Sequence, residues 1–397
     1  MSFATNFKPE AFAETNLFKP MKVGNMELKH RAVMSPLTRL RAINPGQLPN
    51  VPLAKEYYDQ RSKREGTFII SEAAIISRQA GGIDDAPGIY SEEQIKAWSE
   101  IIQKVHDNGS YMFIQFWALG RNAFAGLLKR DGLKYVSASD NEYVDDARRD
   151  ISFYANNHQH GLTKDEIKSF VEDFANAASN SIKAGADGVE IHSAYGYFLN
   201  QFLDPASNKR TDEYGGSIEN RSRIVLEVID ACIEAVGAEK VGVRFSPWAT
   251  YLGMSGSKDP TLLATFAYLI GEMEKRRKAG KEIAYLHMVE PTVTDPGLLE
   301  GQGIDTSGNN EFAYSIWKGP IIRSGTIAAR PAVAKEMVAD GRTLLAYGRY
   351  FISNPDLVDR LEKGLPLNAY NRMTFYGGDR EGLSDYPTYE EALKAGY

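Results

Sequence analysis

Short apolar runs rich in Val and Ile alternate along most of the chain with longer segments in which apolar residues recur at helical spacing. The alternation continues from about residue 30 to residue 350 without a break in composition. Alternating strands and helices are typical of a parallel sheet. The predicted strands are residues 31–35, 67–72, 111–117, 187–192, 241–246, 284–290, 320–324 and 343–348. Eight such units favour a closed (β/α)8 barrel, the TIM-barrel architecture of the α/β class, over an open sheet.

Polar residues mark where the helices of this pattern begin. Thr163 and Glu166 have the spacing of a capping box, in which each side chain bonds to the other residue's backbone N–H group. The following apolar positions share one helical face, which would pack on the barrel wall; they are residues 167, 170, 171, 174, 177 and 178. Asn354 followed by Pro355 predicts the start of the last helix, because proline suits the first helical position.

Three polar or glycine-rich stretches interrupt the alternation, at residues 121–162, 249–260 and 291–318. Each follows a predicted strand, so each is expected at the C-terminal mouth of the barrel, where barrel enzymes build their active sites. Residues 121–162 are much longer than a usual connection and are predicted to form a capping insertion. We therefore expect a single barrel domain, residues 1–397, with loop extensions over its mouth.

The composition narrows the class of protein without specifying a reaction. Hydrophobic residues make up 43% and charged residues 25% of the 397 residues, as in ordinary globular proteins. The formal net charge is −6 and no run concentrates Lys and Arg, which argues against nucleic-acid binding. The one cysteine, Cys232, cannot form a disulfide within the chain, and no apolar run is long enough to span a membrane. We expect a cytoplasmic protein.

Several motifs that would point to other chemistry are missing from the sequence. Gly301-Gln302-Gly303 lacks the third glycine and the preceding strand of a dinucleotide-binding fingerprint. There is no Walker A sequence, no His-Glu-x-x-His motif and no Gly-x-Ser-x-Gly motif. The six histidines are scattered, so no metal site is expected.

Polar side chains stand at the ends of the predicted strands, where a barrel brings distant residues together. They are Thr38, Gln115, Trp117, His192, Arg244 and Arg349. Arg244 interrupts an apolar strand, so its charge needs an anionic partner, either a bound ligand or a barrel carboxylate such as Glu190. Gly325 and Gly348 follow the last two strands, the usual phosphate site of this fold, although ordinary turn glycines would look the same.

The segment from His192 to Tyr197 holds the densest set of hydrogen-bond donors. One imidazole and the phenols of Tyr195 and Tyr197 follow a predicted strand within six residues. Together they could bind a carbonyl oxygen and deliver a proton, because a phenol with a pKa near 10 stays protonated at neutral pH. The alternative is that the two tyrosines only pack beneath the loop.

Longer motifs follow one another along essentially the whole chain. They are Pro36-Leu37-Thr38-Arg39, Gln115-Phe116-Trp117, the segment from His192 to Tyr197, Asn200-Gln201-Phe202-Leu203, Arg210-Thr211-Asp212-Glu213-Tyr214-Gly215-Gly216-Ser217, Ile322-Arg323-Ser324-Gly325, Tyr347-Gly348-Arg349 and Ser353-Asn354-Pro355-Asp356-Leu357. In this order they resemble the old yellow enzyme family of flavin-dependent ene reductases, specifically the yeast type.

The resemblance implies a non-covalent FMN at the barrel mouth and NADPH as the reductant. The residues expected to bind FMN are Pro36, Thr38, Ala73, Gln115, Arg244, Gly325, Gly348 and Arg349, the last three at its phosphate. The implied reaction is a ping-pong reduction of the C=C bond of α,β-unsaturated carbonyl compounds. His192 and Tyr195 would bond to the substrate oxygen, Tyr197 would donate the proton, and Trp117 and Tyr376 would line the substrate pocket. Phenolic ligands and a homodimer are also expected from the resemblance.

Tyr195 is the departure from the family pattern that matters most, since relatives usually carry Asn or His at this position. A tyrosine hydroxyl can still donate one hydrogen bond to a substrate oxygen. If it points away, a second hypothesis is a flavin-containing protein that binds phenols or steroid-like ligands with weak turnover. A third is a barrel enzyme without flavin, such as an aldolase or a phosphate-sugar isomerase.

Overall fold

The computed structural model describes residues 2–299 and 301–396, and its centre is a closed barrel of eight parallel strands. The strands are β1 Ala32–Met34, β2 Phe68–Ile75, β3 Tyr111–Trp117, β4 Gly188–Ser193, β5 Val241–Phe245, β6 Tyr285–Val289, β7 Ile321–Ser324 and β8 Thr343–Tyr347. Each strand pairs with its neighbour in the chain, and β8 pairs with β1 to close the barrel. The predicted (β/α)8 barrel is therefore confirmed, and β3 has the predicted bounds.

Helices surround the barrel and connect its strands. The helices of the outer ring are α1 Val51–Ser62, α2 Glu92–His106, α3 Lys164–Lys183, α4 Ile218–Val236, α5 Leu262–Lys278, α6 Glu311–Ile316, α7 Pro331–Met337 and α8 Leu357–Lys363. The additional helices are Ala125–Arg130, Asp146–Tyr154, Phe198–Leu203, Arg349–Ser353 and Tyr389–Lys394, and the short 3-10 helices are Asn16–Phe18, Gly120–Asn122, Ala238–Lys240, Tyr251–Gly253, Gly256–Lys258 and Arg372–Thr374. Within the described residues, no helix combines the length and the apolar character needed to cross a bilayer.

An aromatic layer fills the lower part of the barrel. The ring centroids of Phe113 and Tyr285 lie 5.6 Å apart. A Cβ atom on Gly188 would lie 2.3 Å from the Phe113 ring, and one on Gly242 would lie 2.2 Å from the Tyr285 ring. Only glycine therefore leaves room for these rings inside the barrel. An antiparallel hairpin, Met21–Val23 with Met26–Leu28, packs on the same cluster and closes the bottom.

The sequence signals for α3 are confirmed. The Thr163 side chain accepts the Glu166 backbone N–H at 3.2 Å, and the Glu166 carboxylate accepts the Thr163 N–H at 2.9 Å. The predicted apolar face is buried except at Val171, which is half-buried. Because an amphipathic face of this kind removes apolar surface from water, it holds α3 against the barrel.

The predicted helix start is wrong by two residues, because Pro355 does not occupy the first helical position, and α8 is followed by a further α-helix, Tyr389–Lys394. A short helix, Arg349–Ser353, ends just before Asn354, and α8 begins at Leu357. The Asn354 amide donates to the Tyr350 carbonyl and accepts the Asn368 N–H instead of capping a helix. These contacts with a distant segment outweigh the local signal of the Asn-Pro pair.

Residues 121–162, between β3 and α3, build the mouth of the barrel rather than its wall. They contain the helices Ala125–Arg130 and Asp146–Tyr154 and a small parallel pair, Val136–Ser137 with His160–Gly161. Phe124 and Arg148 from this insertion line the cavity at the barrel mouth. The insertion thus narrows the opening above the strand ends.

We predict that Thr163→Ala lowers the free energy of unfolding by about 0.5–2 kcal/mol, because the Glu166 N–H loses its side-chain acceptor. Urea denaturation followed by circular dichroism should give a lower midpoint with an unchanged slope. Ser179→Ala is the matched control, since this exposed hydroxyl of α3 bonds only to the Ala175 carbonyl one turn earlier. Equal losses in the two variants would contradict a capping role for Thr163.

Candidate functional site

A cavity of about 460 Å³ opens at the C-terminal mouth of the barrel. Its volume lies within the roughly 300–1,000 Å³ typical of small-molecule sites. All the site residues singled out from the sequence line it: Pro36, Thr38, Ala73, Gln115, Trp117, His192, Tyr195, Tyr197, Arg244, Gly325, Gly348, Arg349 and Tyr376. The fold thus gathers residues that are up to 340 positions apart in the chain.

The register of the barrel strands places Gln115 and Arg244 at the floor of the cavity and His192 at the adjoining wall. Gln115 on β3 pairs with Glu190 on β4, and His192 on β4 pairs with Arg244 on β5. The Nε atom of Arg244 is buried and has no hydrogen-bond partner among the described residues. A buried guanidinium nitrogen without a partner is costly, so the floor is suited to a ligand that supplies an acceptor.

Glu190 does not form the ion pair with Arg244 that the sequence analysis considered as an alternative. Its carboxylate instead accepts hydrogen bonds from Gln115 at 2.6 Å and from His287 at 2.8 Å. Burial raises the pKa of Glu190, but the hydrogen bonds from His287 and Gln115 and the charge of Arg244 outweigh it, so the pKa lies below the ordinary value. Arg244 therefore influences Glu190 without direct contact and keeps its donors for the cavity.

His192 is a neutral donor at the cavity wall. Burial, followed by the charge of Arg244, lowers the pKa of its imidazole to about 3. The Ala194 N–H donates to Nδ1 at 3.3 Å, so in the neutral ring the proton is on Nε2. His192 can thus donate one hydrogen bond to a ligand oxygen without carrying a charge.

Tyr197 lies beside His192 with its ring held by two edge contacts. Its ring centroid is 5.1 Å from that of His192 and 4.9 Å from that of Trp117. Burial and the neighbouring phenols of Tyr251 and Tyr376 raise the pKa of the Tyr197 hydroxyl well above its ordinary value. The hydroxyl therefore keeps its proton at neutral pH and is available as an acid.

Tyr195 is held in an unusual conformation between Arg244 and the segment after β6. Its φ is +51°, a left-handed backbone that bulky residues rarely adopt. Its N–H donates to Ser246 Oγ at 2.7 Å, and its hydroxyl donates to the Val293 carbonyl at 3.3 Å. The Arg244 guanidinium carbon lies 5.5 Å from its ring centroid. The one hydrogen of the Tyr195 hydroxyl is thus donated to the Val293 carbonyl, in a long hydrogen bond.

Another part of the cavity wall carries the Arg349 guanidinium and the backbone of Gly325. The Arg349 guanidinium donates to the carbonyls of Pro296 at 3.2 Å and Leu298 at 2.8 Å, and no carboxylate of the described residues forms an ion pair with it. A Cβ atom on Gly325 would lie 2.8 Å from Thr292 Oγ1, so no side chain fits there. An arginine without a carboxylate partner among the described residues suits an anionic group of a ligand.

Two arginines that the sequence analysis did not assign to the site position its rim. Arg39 donates to the Phe375 carbonyl at 2.9 Å, and Arg41 donates to the same carbonyl at 3.1 Å and to that of Thr374 at 3.2 Å. They hold the C-terminal segment that carries Tyr376, which is 59% exposed, over the cavity. The signal available in the sequence was the close spacing of the two arginines, because each needs several acceptors when it is buried.

His287 was also missed, although the signal was the same as for Arg244. It interrupts the apolar strand β6 and is completely buried, with its Nε2 atom 2.9 Å from Ser324 Oγ. Ser324 lines the cavity. In the described part of the chain, no group of three or more His, Cys, Asp or Glu residues is arranged to hold a metal ion.

Comparison with known proteins gives consistent matches over almost the full length. The model of the NADH:flavin oxidoreductase / NADH oxidase family matches residues 16–368. Enoate reductase 1 of Kluyveromyces lactis is 57% identical over 397 residues, 100% of each chain. A probable NADPH dehydrogenase of Candida albicans is 43% identical over 388 residues, 96% of this chain and 92% of the relative. The crystal structure of old yellow enzyme from Pichia sp. AKU4542 is similar with a TM-score of 0.88 and 42% identity, over 95% of each chain.

Proposed function

The chain belongs to the NADH:flavin oxidoreductase / NADH oxidase family, as an oxidoreductase of the old yellow enzyme type, and we propose that it reduces the C=C bond of α,β-unsaturated carbonyl compounds with NADPH. The observation that carries this proposal is the pairing of a neutral imidazole donor, His192, with a protonated phenol, Tyr197, on one cavity. This pair can bind a carbonyl oxygen and protonate a nearby carbon.

The residues of the cavity fit FMN, the cofactor of this family. Within residues 2–299 and 301–396, four buried polar atoms of residues that line the cavity have no hydrogen-bond partner: Trp117 Nε1, Asn122 Oδ1, Arg244 Nε and Tyr347 Oη. Pro36, Thr38, Ala73, Gln115 and Arg244 would hold the flavin ring, and Gly325, Gly348 and Arg349 would hold its phosphate. When bound, FMN carries two electrons from NADPH to the substrate.

The protein supplies polarisation and a proton. His192 Nε2–H would bond to the carbonyl oxygen of the substrate and stabilise the negative charge that develops there. One hydrogen reaches the β-carbon together with the two electrons that originate from NADPH. Tyr197 gives the second hydrogen as a proton to the α-carbon and then regains a proton from solvent. Trp117 and Tyr376 would contact the body of the substrate at the wall and rim of the cavity.

The contact of Tyr195 with Val293 favours a second candidate function. If the hydroxyl stays on the Val293 carbonyl, the substrate oxygen has one donor instead of two, and the protein would bind phenols or steroid-like ligands with weak turnover. We prefer the ene reductase because the bond to Val293 is long, at 3.3 Å, and can be exchanged for a bond to substrate. Because the chain belongs to the NADH:flavin oxidoreductase / NADH oxidase family, we set aside the hypothesis of a barrel enzyme without flavin.

The location and the assembly of the protein remain predictions. The only cysteine, Cys232, is buried and hydrogen-bonded at 3.7 Å to the Phe174 carbonyl, and burial raises the pKa of its thiol. A free structural thiol suits the reducing cytoplasm that we propose. A homodimer is proposed on the resemblance to the yeast-type enzymes alone.

We predict that NADPH bleaches the yellow flavin absorbance of the purified protein under anaerobic conditions, and that cyclohexenone then restores it. Repeated cycles should consume equal amounts of NADPH and enone. Bleaching with a single slow recovery would support the ligand-binding alternative. A colourless protein that takes up no FMN would contradict the proposed function.

We predict that Tyr197→Phe slows reoxidation by cyclohexenone about 10²- to 10⁴-fold and leaves reduction by NADPH nearly unchanged, because only the enone step needs the proton. Stopped-flow absorbance separates the two steps. Tyr214→Phe is a suitable control, since this phenol bonds to Glu227 at 3.0 Å and lies outside the cavity. Equal slowing of both steps would remove Tyr197 from the role of proton donor.

We predict that Tyr195→Phe slows reoxidation by the enone by up to about 10²-fold, because the substrate oxygen loses one of two donors. The same stopped-flow measurement applies, and reduction by NADPH should be unaffected. An unchanged enone step would show that His192 alone binds the oxygen and that the Tyr195 hydroxyl serves only the Val293 carbonyl.

A further inference from the structure

A buried polar network lies beneath the cavity, in the part of the barrel that the reaction does not touch. Its centre is Glu190, whose carboxylate is completely buried. Oε1 accepts from Gln115 Nε2 at 2.6 Å, and Oε2 accepts from His287 Nδ1 at 2.8 Å. His287 Nε2 is in turn 2.9 Å from Ser324 Oγ. The network therefore links strands β3, β4, β6 and β7.

The chemistry of the carboxylate fixes the direction of every hydrogen bond in this network. An ionised carboxylate can only accept, so Gln115 must turn its NH₂ group toward Glu190, and His287 must carry its proton on Nδ1. Burial lowers the pKa of His287 and keeps the imidazole neutral despite the nearby Glu190. Nε2 is then an acceptor, and the Ser324 hydroxyl donates its hydrogen to it.

The direction of these hydrogen bonds decides which donors and acceptors are left for a ligand in the cavity. Gln115 and Ser324 both line the cavity. One hydrogen of the Gln115 NH₂ group is donated to Glu190, and this orientation of the amide leaves the Oε1 atom, an acceptor, for a ligand. Ser324 has already given its only hydrogen to His287 and can offer only lone pairs. Arg244, on the strand between those of Glu190 and His287, is the donor of the same floor.

We propose that Glu190 is a positioning residue that holds the Gln115 carbonyl oxygen toward the cavity. The floor then selects a ligand edge in which an N–H group stands next to a carbonyl, as in a cyclic imide, with the N–H on Gln115 and the carbonyl on Arg244. This inference rests on the proposed function, because the pyrimidine ring of FMN carries such an edge. Glu190 would thus determine which atom of the Gln115 amide faces the flavin, without contacting the flavin itself.

The test is a competition between two flavins that differ at the imide N–H. Flavin-loaded, full-length protein is equilibrated with equal concentrations of FMN and N3-methyl-FMN, separated by gel filtration, and the bound flavins are quantified by chromatography. We expect the wild type to retain about tenfold to hundredfold more FMN than analogue, since the analogue leaves a buried acceptor unsatisfied. In Glu190→Gln the new amide can donate as well as accept, so Gln115 can turn, and the preference should fall below about threefold.

Two further variants separate positioning from general damage. Ser71→Ala removes the hydroxyl that accepts the Gln115 backbone N–H at 3.1 Å and leaves the side-chain network in place, so it should keep the preference. Glu190→Asp keeps the charge near Arg244 but withdraws the carboxylate oxygen from Gln115, so this variant should lose the preference for FMN over the analogue. It serves as the test if Glu190→Gln does not fold.

The outcomes distinguish this inference from the proposed function. A wild-type protein that binds neither flavin contradicts the proposed function. A wild type that binds FMN but does not prefer it over the analogue overturns the inference, because the Gln115 oxygen would then not receive the N–H. A preference that stays unchanged in Glu190→Gln or in Glu190→Asp also overturns it.

Discussion

The two-residue alternation of the barrel strands is the constraint on which the site depends. Residues two apart on a strand face the same side, so Phe113 and Gln115 both point into the barrel, as do Tyr285 and His287. The inner face is therefore an apolar aromatic layer below and a polar layer above. A slip of one residue in any strand would exchange inner and outer side chains and destroy both layers at once.

The polar layer is stable because its charges and donors are matched inside the protein. Glu190 is ionised and Arg244 is cationic, while His192 and His287 are neutral. Burying one uncompensated charge costs several kcal/mol, and a carboxylate with two donors beside an arginine avoids much of that cost. Arg244 Nε, on a residue that lines the cavity, has no hydrogen-bond partner among the described residues. A ligand in the cavity can therefore supply the acceptor that this nitrogen lacks.

Sequence patterns predicted the parts of this arrangement that act within one strand. Each barrel strand is a run of apolar residues, and Gln115, His192 and Arg244 are visible because each interrupts or ends such a run. Partnerships between strands carry no such signal, since nothing local shows that Glu190 meets His287, 97 positions later, rather than Arg244. The same limit explains Asn354, whose partner Asn368 comes from the returning chain. Local patterns find polar groups, but the register of the closed barrel decides which of them meet.

The backbone at Tyr195 shows how strain and function meet in this site. A left-handed conformation costs a residue with a Cβ atom on the order of 1–2 kcal/mol, so surrounding contacts must hold it. The hydrogen bond from its N–H to Ser246 and the packing of its ring near Arg244 supply those contacts. They fix the ring, whereas the hydroxyl is held only by a long bond to Val293, in the segment that follows β6. Under the function proposed above, a substrate oxygen would have to displace one weak acceptor, without moving the ring, to gain the second donor.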